Sequence, residues 1–437
     1  MTAMLTEKRV LEIWQDSLQS RTDLRTEDNQ LVRVVYPGRC NDDRGADFKD
    51  AVIATGRGRL TGDIEIHVKA SNWWAHGHHR DPAYNRVILH VVYRNDSGRT
   101  AVLQNGEHAP TLALDDYIKS NNYHALPSAM PCRLAFYRRN TGRIAAMLEE
   151  AGEQRFLAKA DIFQGLPSAE EAGQALYRGI MTALGYSKNK GPMAELADRL
   201  PLKKLEQAAS GEITDSEYLC RCQALLTGTA GLLPSQRGME QITAGWEEKL
   251  EKYWAASGER AQMSPADWRF FKVRPGNQPV RRLAAMSYLL LRYKEKGLLA
   301  GLEEKLAGTT DGNNSGLLEQ ALAVAPEGYW GCYLDFGALA RGVVPALLGS
   351  GRAADIIINV LLPFACALGP AQQGEKVMAI YRDYSAAAEN SLVRHMRGQL
   401  GLSKPFIATA RRQQGLIHIY KTRCVQGRCG ECPMGNI

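Results

Sequence analysis

Residues 62–71 read Gly-Asp-Ile-Glu-Ile-His-Val-Lys-Ala-Ser. Ile64, Ile66 and Val68 alternate with Asp63, Glu65, His67 and Lys69, and strict alternation is the period of a β-strand. One face of that strand belongs to a core. The other carries two acids, a histidine and a lysine, with about 7 Å between neighbours two residues apart. A strand of this pattern ordinarily turns its polar face to water. Two features argue for chemistry instead. Five of the nine histidines (His67, His76, His78, His79 and His90) fall within 24 residues. In addition, Asp47 stands at the head of a second strand candidate, 48–55, joined to the first through the Gly56-Arg57-Gly58-Arg59 turn.

If the two strands pair, Asp47 and Glu65 meet and can hold one divalent cation, Mg or Mn. Carboxylates on a hard cation suit phosphodiester hydrolysis: the ion orients a water, lowers its pKa and offsets charge in the transition state. His67 or Lys69 then contacts the phosphate or the attacking water. A second route to a metal runs through His76, His78 and Asp81, a set suited to zinc or another transition metal. The competing reading is a polar loop with Trp73 and Trp74 packed beneath it. His90, inside Val-Ile-Leu-His-Val-Val-Tyr, reads as a buried, hydrogen-bonded histidine.

Working outward, residues 6–18 form a helix capped by Thr6, with Leu11, Trp14 and Leu18 on one face. Further strands are expected at 31–36 and 87–93. The chain thus opens with an α+β domain built on a mixed sheet, residues 1–128. Helical periodicity takes over in residues 129–412, punctuated by Pro and Gly, without a fixed repeat. In this body, Trp268–Arg282 reads as a helix–helix corner. No phosphate-binding loop, dinucleotide fingerprint or nucleophile elbow occurs, which argues against ATPase, dehydrogenase and α/β-hydrolase chemistry.

Residues 413–437 form a cysteine-rich, metal-binding tail. Cys424, Cys429 and Cys432 are spaced C-x₄-C-x₂-C. Nine cysteines, an odd number in a long chain without a signal peptide, point to metal ligation rather than to disulfides. His418, on a strand-like segment 416–420, would complete a Cys₃His zinc site; an iron–sulfur cluster is the rival. The net charge of +7 is a mild bias towards anionic partners. Between Glu389 and Glu431 there is no acidic residue. Arg411, Arg412, Lys421 and Arg423 in that stretch offer a surface for DNA or RNA backbones. No run of about 18 apolar residues appears, so no membrane association and a cytoplasmic location are expected.

The helix, the hairpin carrying Asp47 and the strand carrying Glu65-Ile66-His67 together resemble the PD-(D/E)XK nuclease superfamily. Ala46 replaces the usual Pro, His67 replaces the usual Lys, and Glu12 in the opening helix is a candidate extra acid. The resemblance implies a restriction-endonuclease-like fold. Over nearly the whole chain, Gly45-Ala46-Asp47-Phe48, Gly62–His67, Trp74–His78, Tyr84–Val92, Gly185-Tyr186, Asn189, Arg274–Asn277 and the closing cysteines resemble a bacterial family of uncharacterised proteins, known only as a domain of unknown function. That likeness implies a bacterial origin and supplies no activity.

Three functions are therefore in play. The first is a metal-dependent nuclease using Asp47, Glu65, His67 and Lys69. The second is a non-catalytic nucleic-acid-binding or scaffold protein with a structural zinc tail. The third is a small-molecule metalloenzyme using His76, His78 and Asp81.

Overall fold

The structure, a computed structural model, describes residues 6–16, 18, 21–119, 132, 141–166, 168–240, 245–309, 315–369 and 371–435. The chain divides into two compact units. The first comprises residues 1–154, 389–408 and 412–437; the second comprises 155–388 and 409–411. The tail and the segment before it thus fold with the N-terminal region. The boundary expected after residue 128 lies outside the described residues.

The first unit is built on a mixed sheet. Its strands are β1 (Val32–Tyr36), β2 (Arg39–Cys40), β3 (Phe48–Thr55), β4 (Gly58–Lys69) and β5 (Val87–Arg94). Two short strands, β6 (Ala101–Val102) and β7 (His108–Ala109), pair outside it, and β8 (Thr111–Ala113) forms its far edge. The order is β1-β3-β4-β5-β8, with β2 on β3. β1, β3 and β4 run antiparallel; β4, β5 and β8 run parallel. A tight turn suffices for β3–β4, whereas the parallel step from β4 to β5 needs a crossover. Residues 70–86 supply that crossover, and they carry His76 and His78.

Helix α1 (Glu7–Asp16) buries Val10, Ile13 and Trp14 against Ile64, Ile66, Leu89 and Val91. This confirms the apolar face of β4. The opposite face departs from the ordinary expectation of a solvated one, because Asp63, Glu65 and His67 are all buried. Trp73, in the single turn α2 (Asn72–Ala75), and Tyr84 cover it. The close approach of residues 86–88 to β4 depends on Gly62, where a β-carbon would lie 2.5 Å from the Arg86 carbonyl oxygen.

The second unit is mostly helical. Ser168 and Thr214 begin two of its helices, Ala169–Leu184 and Asp215–Thr229, by accepting the backbone N–H of Glu171 and Glu217. Leu176, Tyr177, Ile180, Met181 and Leu184 recur at helical spacing and are buried in one core. One short hairpin, Tyr333–Asp335 with Ala338–Leu339, went unread in the sequence. Trp268–Arg282 does form a corner, two 3₁₀ turns around an extended stretch leading into helix Pro279–Arg292. Ser350–Leu368 is long and apolar enough, by length and composition alone, to cross a membrane, and 61% of it is buried within the structure. The expected strand at 416–420 is instead part of helix Ala410–Thr422. A short apolar run can satisfy either period, and here the flanking residues continue the helix.

Candidate metal centre

Asp47 immediately precedes β3 and lies opposite Glu65 on β4. The register pairs Phe48 with Ile64, then slips by a bulge at which Asp50 adopts a φ of 60°. The two acids exchange contacts across the hairpin. The Asp47 N–H donates to Glu65 Oε2 at 3.2 Å, and the Ile66 N–H donates to Asp47 Oδ2 at 2.9 Å. The expected meeting of Asp47 and Glu65 therefore occurs, through backbone amides as well as through proximity.

Glu65 also faces the crossover. Its Oε1 lies 3.4 Å from His67 Nε2 and 3.1 Å from His78 Nε2. His67 Nε2 is in turn 3.2 Å from His76 Nδ1 and 3.3 Å from His78 Nε2. The three imidazole nitrogens all lie within 4.8 Å of one another. A tetrahedral ion with bonds of about 2.0–2.1 Å sets its donors about 3.3–3.4 Å apart. The separations around His67 and Glu65 match that spacing.

Protonation favours ligation by the histidines. Burial, reinforced by the neighbouring imidazoles His90, His78 and His76, pushes His67 down to about 2. Burial pushes His90 down to about 3 and lowers His78 as well. All three are neutral at pH 7, so the contacts with Glu65 are not ion pairs. A neutral imidazole has one N–H. His67 Nδ1 lies 2.9 Å from His90 Nε2, and placing the proton there leaves His67 Nε2 with its lone pair on the cluster. His90 is thus the buried, hydrogen-bonded histidine expected, and its bond orients a donor.

The acids behave in the opposite sense. Burial pushes Glu65 up to about 8, with Glu7 adding to the rise and Lys49 opposing it. Burial and then the charge of Glu65 push Asp47 up to about 7. Two crowded carboxyls in a low-dielectric site keep protons that a bound cation would displace.

The other candidates lie elsewhere. Lys69 is exposed at the end of β4, and the lysine acting on Glu65 is Lys49, which donates to buried Asp63 at 2.8 Å. Asp81 is paired with Arg44 at 2.9 Å and caps the Pro82–Tyr84 turn. Glu12 is paired with Arg9; the helix acid that acts on both carboxyls is Glu7. His79 packs on Trp74, as the polar-loop reading had it, while His78 stacks on Tyr84 with ring centres 3.9 Å apart. Of the four donors only His76 is exposed, so the cluster opens to solvent on that side.

In the tail, His418 lies on a helix with its carbonyl taken by Thr422. Arg412 is paired with Glu149 and Arg423 with Glu431, which offsets the basic run read in the sequence.

No curated protein and no solved structure matches this chain. A family model described as protein of unknown function (DUF2851) matches residues 7–390, and the chain belongs to that family.

Proposed function

We propose that this protein is a metal-dependent hydrolase acting on nucleic-acid phosphodiesters, with its ion held by His67, His76, His78 and Glu65. The observation that carries the metal is the set of donor separations of 3.1–3.4 Å around Glu65 and His67. Three imidazoles and one carboxylate favour a first-row transition ion such as Zn or Mn over Mg. Such an ion supplies an activated water at neutral pH. Asp47 accepts the Ile66 N–H with one oxygen, and its other oxygen is left to take a proton. A bound cation would pull the Asp47 pKa down from its raised metal-free position and leave an ionised carboxylate able to take a proton from the activated water. The phosphodiester assignment draws on the order of helix, Asp47 hairpin and Glu65 strand, the order that the PD-(D/E)XK resemblance implies. His67 acts in this proposal as a ligand, and Lys49 takes the place first considered for Lys69.

The test is cleavage of plasmid and single-stranded oligonucleotides by protein stripped of metal and then reloaded with Zn, Mn or Mg. Cutting restored by Zn or Mn, and lost in both His78→Ala and Asp47→Asn, supports the proposal. Binding of the ion without cutting of any nucleic acid rejects the nuclease assignment. A second reading, hydrolysis of a small molecule, is favoured by the narrow exposure of the donors. It is selected if simple phosphate esters or amides turn over while nucleic acids do not. Activity with Mg alone that survives His76→Ala would return the site to the two carboxylates.

A further inference from the structure

The sequence leaves the three tail cysteines one ligand short. The structure brings Cys132, which lies 292 residues before Cys424, into their neighbourhood. Cys424 and Cys432 are buried in one apolar cluster, and Cys132 packs against it. Cys424 and Cys429 each begin a short 3₁₀ turn, Cys424–Gln426 and Cys429–Glu431, so the backbone reverses between successive thiols. Gly427, with a φ of 63°, makes the reversal where a β-carbon would lie 2.8 Å from Val52 Cγ1 of β3.

The four sulfurs sense one another. Burial raises the Cys424 thiol well above its usual value, and Cys132, Cys432 and Cys429 raise it further. Burial also raises Cys429, to about 11, and Cys132 and Cys432 again add to it. Cys432 rises through burial with a contribution from Cys132. Gln399 is buried at the end of helix Ser391–Gln399. Its Nε2 donates to Cys132 Sγ at 3.5 Å and points to Cys424 Sγ at 4.0 Å. A thiol is a weak acceptor, whereas a metal-bound thiolate is a good partner for a buried amide. Arg59 acts on Cys429 and Arg423 on Cys432, which places cations beside a centre whose thiolates would carry net negative charge.

We infer that Cys132, Cys424, Cys429 and Cys432 form a four-thiolate metal centre that ties the end of the chain to residue 132, with Gln399 as its hydrogen-bonding support. Four sulfurs and no open position make it structural, and the donor set suits zinc or an iron–sulfur cluster. In this centre Cys132 takes the fourth position considered for His418. Metal binding displaces the thiol protons and holds the tail against β3.

The experiment uses full-length protein purified without added metal, once in air and once under anaerobic conditions. Metal content, visible absorption and electron paramagnetic resonance after reduction separate zinc from iron–sulfur. Either centre supports the inference if it falls by about tenfold or more in each of Cys132→Ser, Cys424→Ser, Cys429→Ser and Cys432→Ser. It must also persist in Cys332→Ser and His418→Ala. Gln399→Ala should weaken retention roughly tenfold. Because a serine variant can fail to fold, wild-type protein exchanged with cadmium gives an independent readout, with one resonance in the all-sulfur range expected. Retention in Cys132→Ser with loss in His418→Ala overturns the inference. So does a cadmium resonance typical of three sulfurs and one nitrogen, or protein that binds no metal while all nine native thiols react freely.

Discussion

The two units give their buried polar side chains different kinds of partner. In the helical unit, Arg281 is fully buried and donates to the carbonyls of Trp330, Tyr333 and Pro345, while Arg282 donates to those of Leu347 and Gly276. Gln223 accepts the indole N–H of Trp246 and of Trp330. These groups bond to backbone carbonyls and indoles, while Arg281 Nε, Arg282 Nε and Gln223 Nε2 are buried without a hydrogen-bond partner among the described residues. In the sheet unit, the Glu65 carboxyl and the ring nitrogens of His67, His76 and His78 instead face one another, with His67 Nε2 close to all three partners. Such a cluster can share its few protons or give them up to a cation. Potential ligands facing one another, rather than backbone carbonyls, mark the sheet side as the candidate site.

The largest expected effect breaks the comparison on the sheet side. His67→Ala removes the donor that three others face, so metal affinity should fall by at least about 100-fold and turnover should vanish. Metal titration of the purified variant checks this, and circular dichroism should show the fold retained. Arg281→Met makes the converse break. It strips donors from three carbonyls and should destabilise the helical unit by about 3 kcal/mol, leaving the affinity for metal unchanged. Urea unfolding read alongside metal titration separates the two. If Arg281→Met also weakened the metal, the contrast between the units would fail.

The pH response sharpens the same contrast. Asp47 and Glu65 keep their protons to about 7 and about 8, above their ordinary values of 3.8 and 4.5. Stability from this pair is therefore complete below about pH 4, where folded and unfolded chains are both protonated, and is lost as pH rises through 7 to 8. From pH 7 to 8.5, where His67, His78 and His90 are neutral in folded and unfolded chains alike, metal-free protein should melt at progressively lower temperature; below about pH 6.5 the lowered pKa values of those histidines work in the opposite direction. Added zinc should reverse the loss most strongly at the alkaline end, where proton competition has ended. Thermal melts with and without zinc across that range are the check. A metal-free melting temperature that rises over the range would contradict the buried-carboxyl account.

Much of this was legible in the sequence. The alternation of Ile64 and Ile66 with Glu65 and His67 sets the strand and its two faces, and the Gly56–Arg59 turn brings Asp47 opposite Glu65. What pairwise pattern could not supply was the path of the crossover. His76 and His78 join His67 only because residues 70–86 return over the polar face of β4 to start a parallel strand. The same limit hid Cys132. Its spacing to Cys424 carries no local signal, whereas His418 lies six residues from it and was read as a nearby ligand, although the helix of residues 410–422 carries it.

The smallest effects concern the acids of the opening helix. Glu7 raises both Asp47 and Glu65, while Glu12 is paired with Arg9. Five residues of α-helix turn through about 500°, leaving Glu12 about 140° from Glu7 around the axis. One acid can therefore lie on the side of the site while the other points away from it. Glu7→Gln should shift the pH midpoint of metal binding to lower pH by a fraction of a unit, because removing its charge makes Glu65 easier to ionise. Glu12→Gln should leave that midpoint in place. Equal shifts from the two variants would mean that the helix acts on the site only through its net charge, and that the position of Glu7 has no special role.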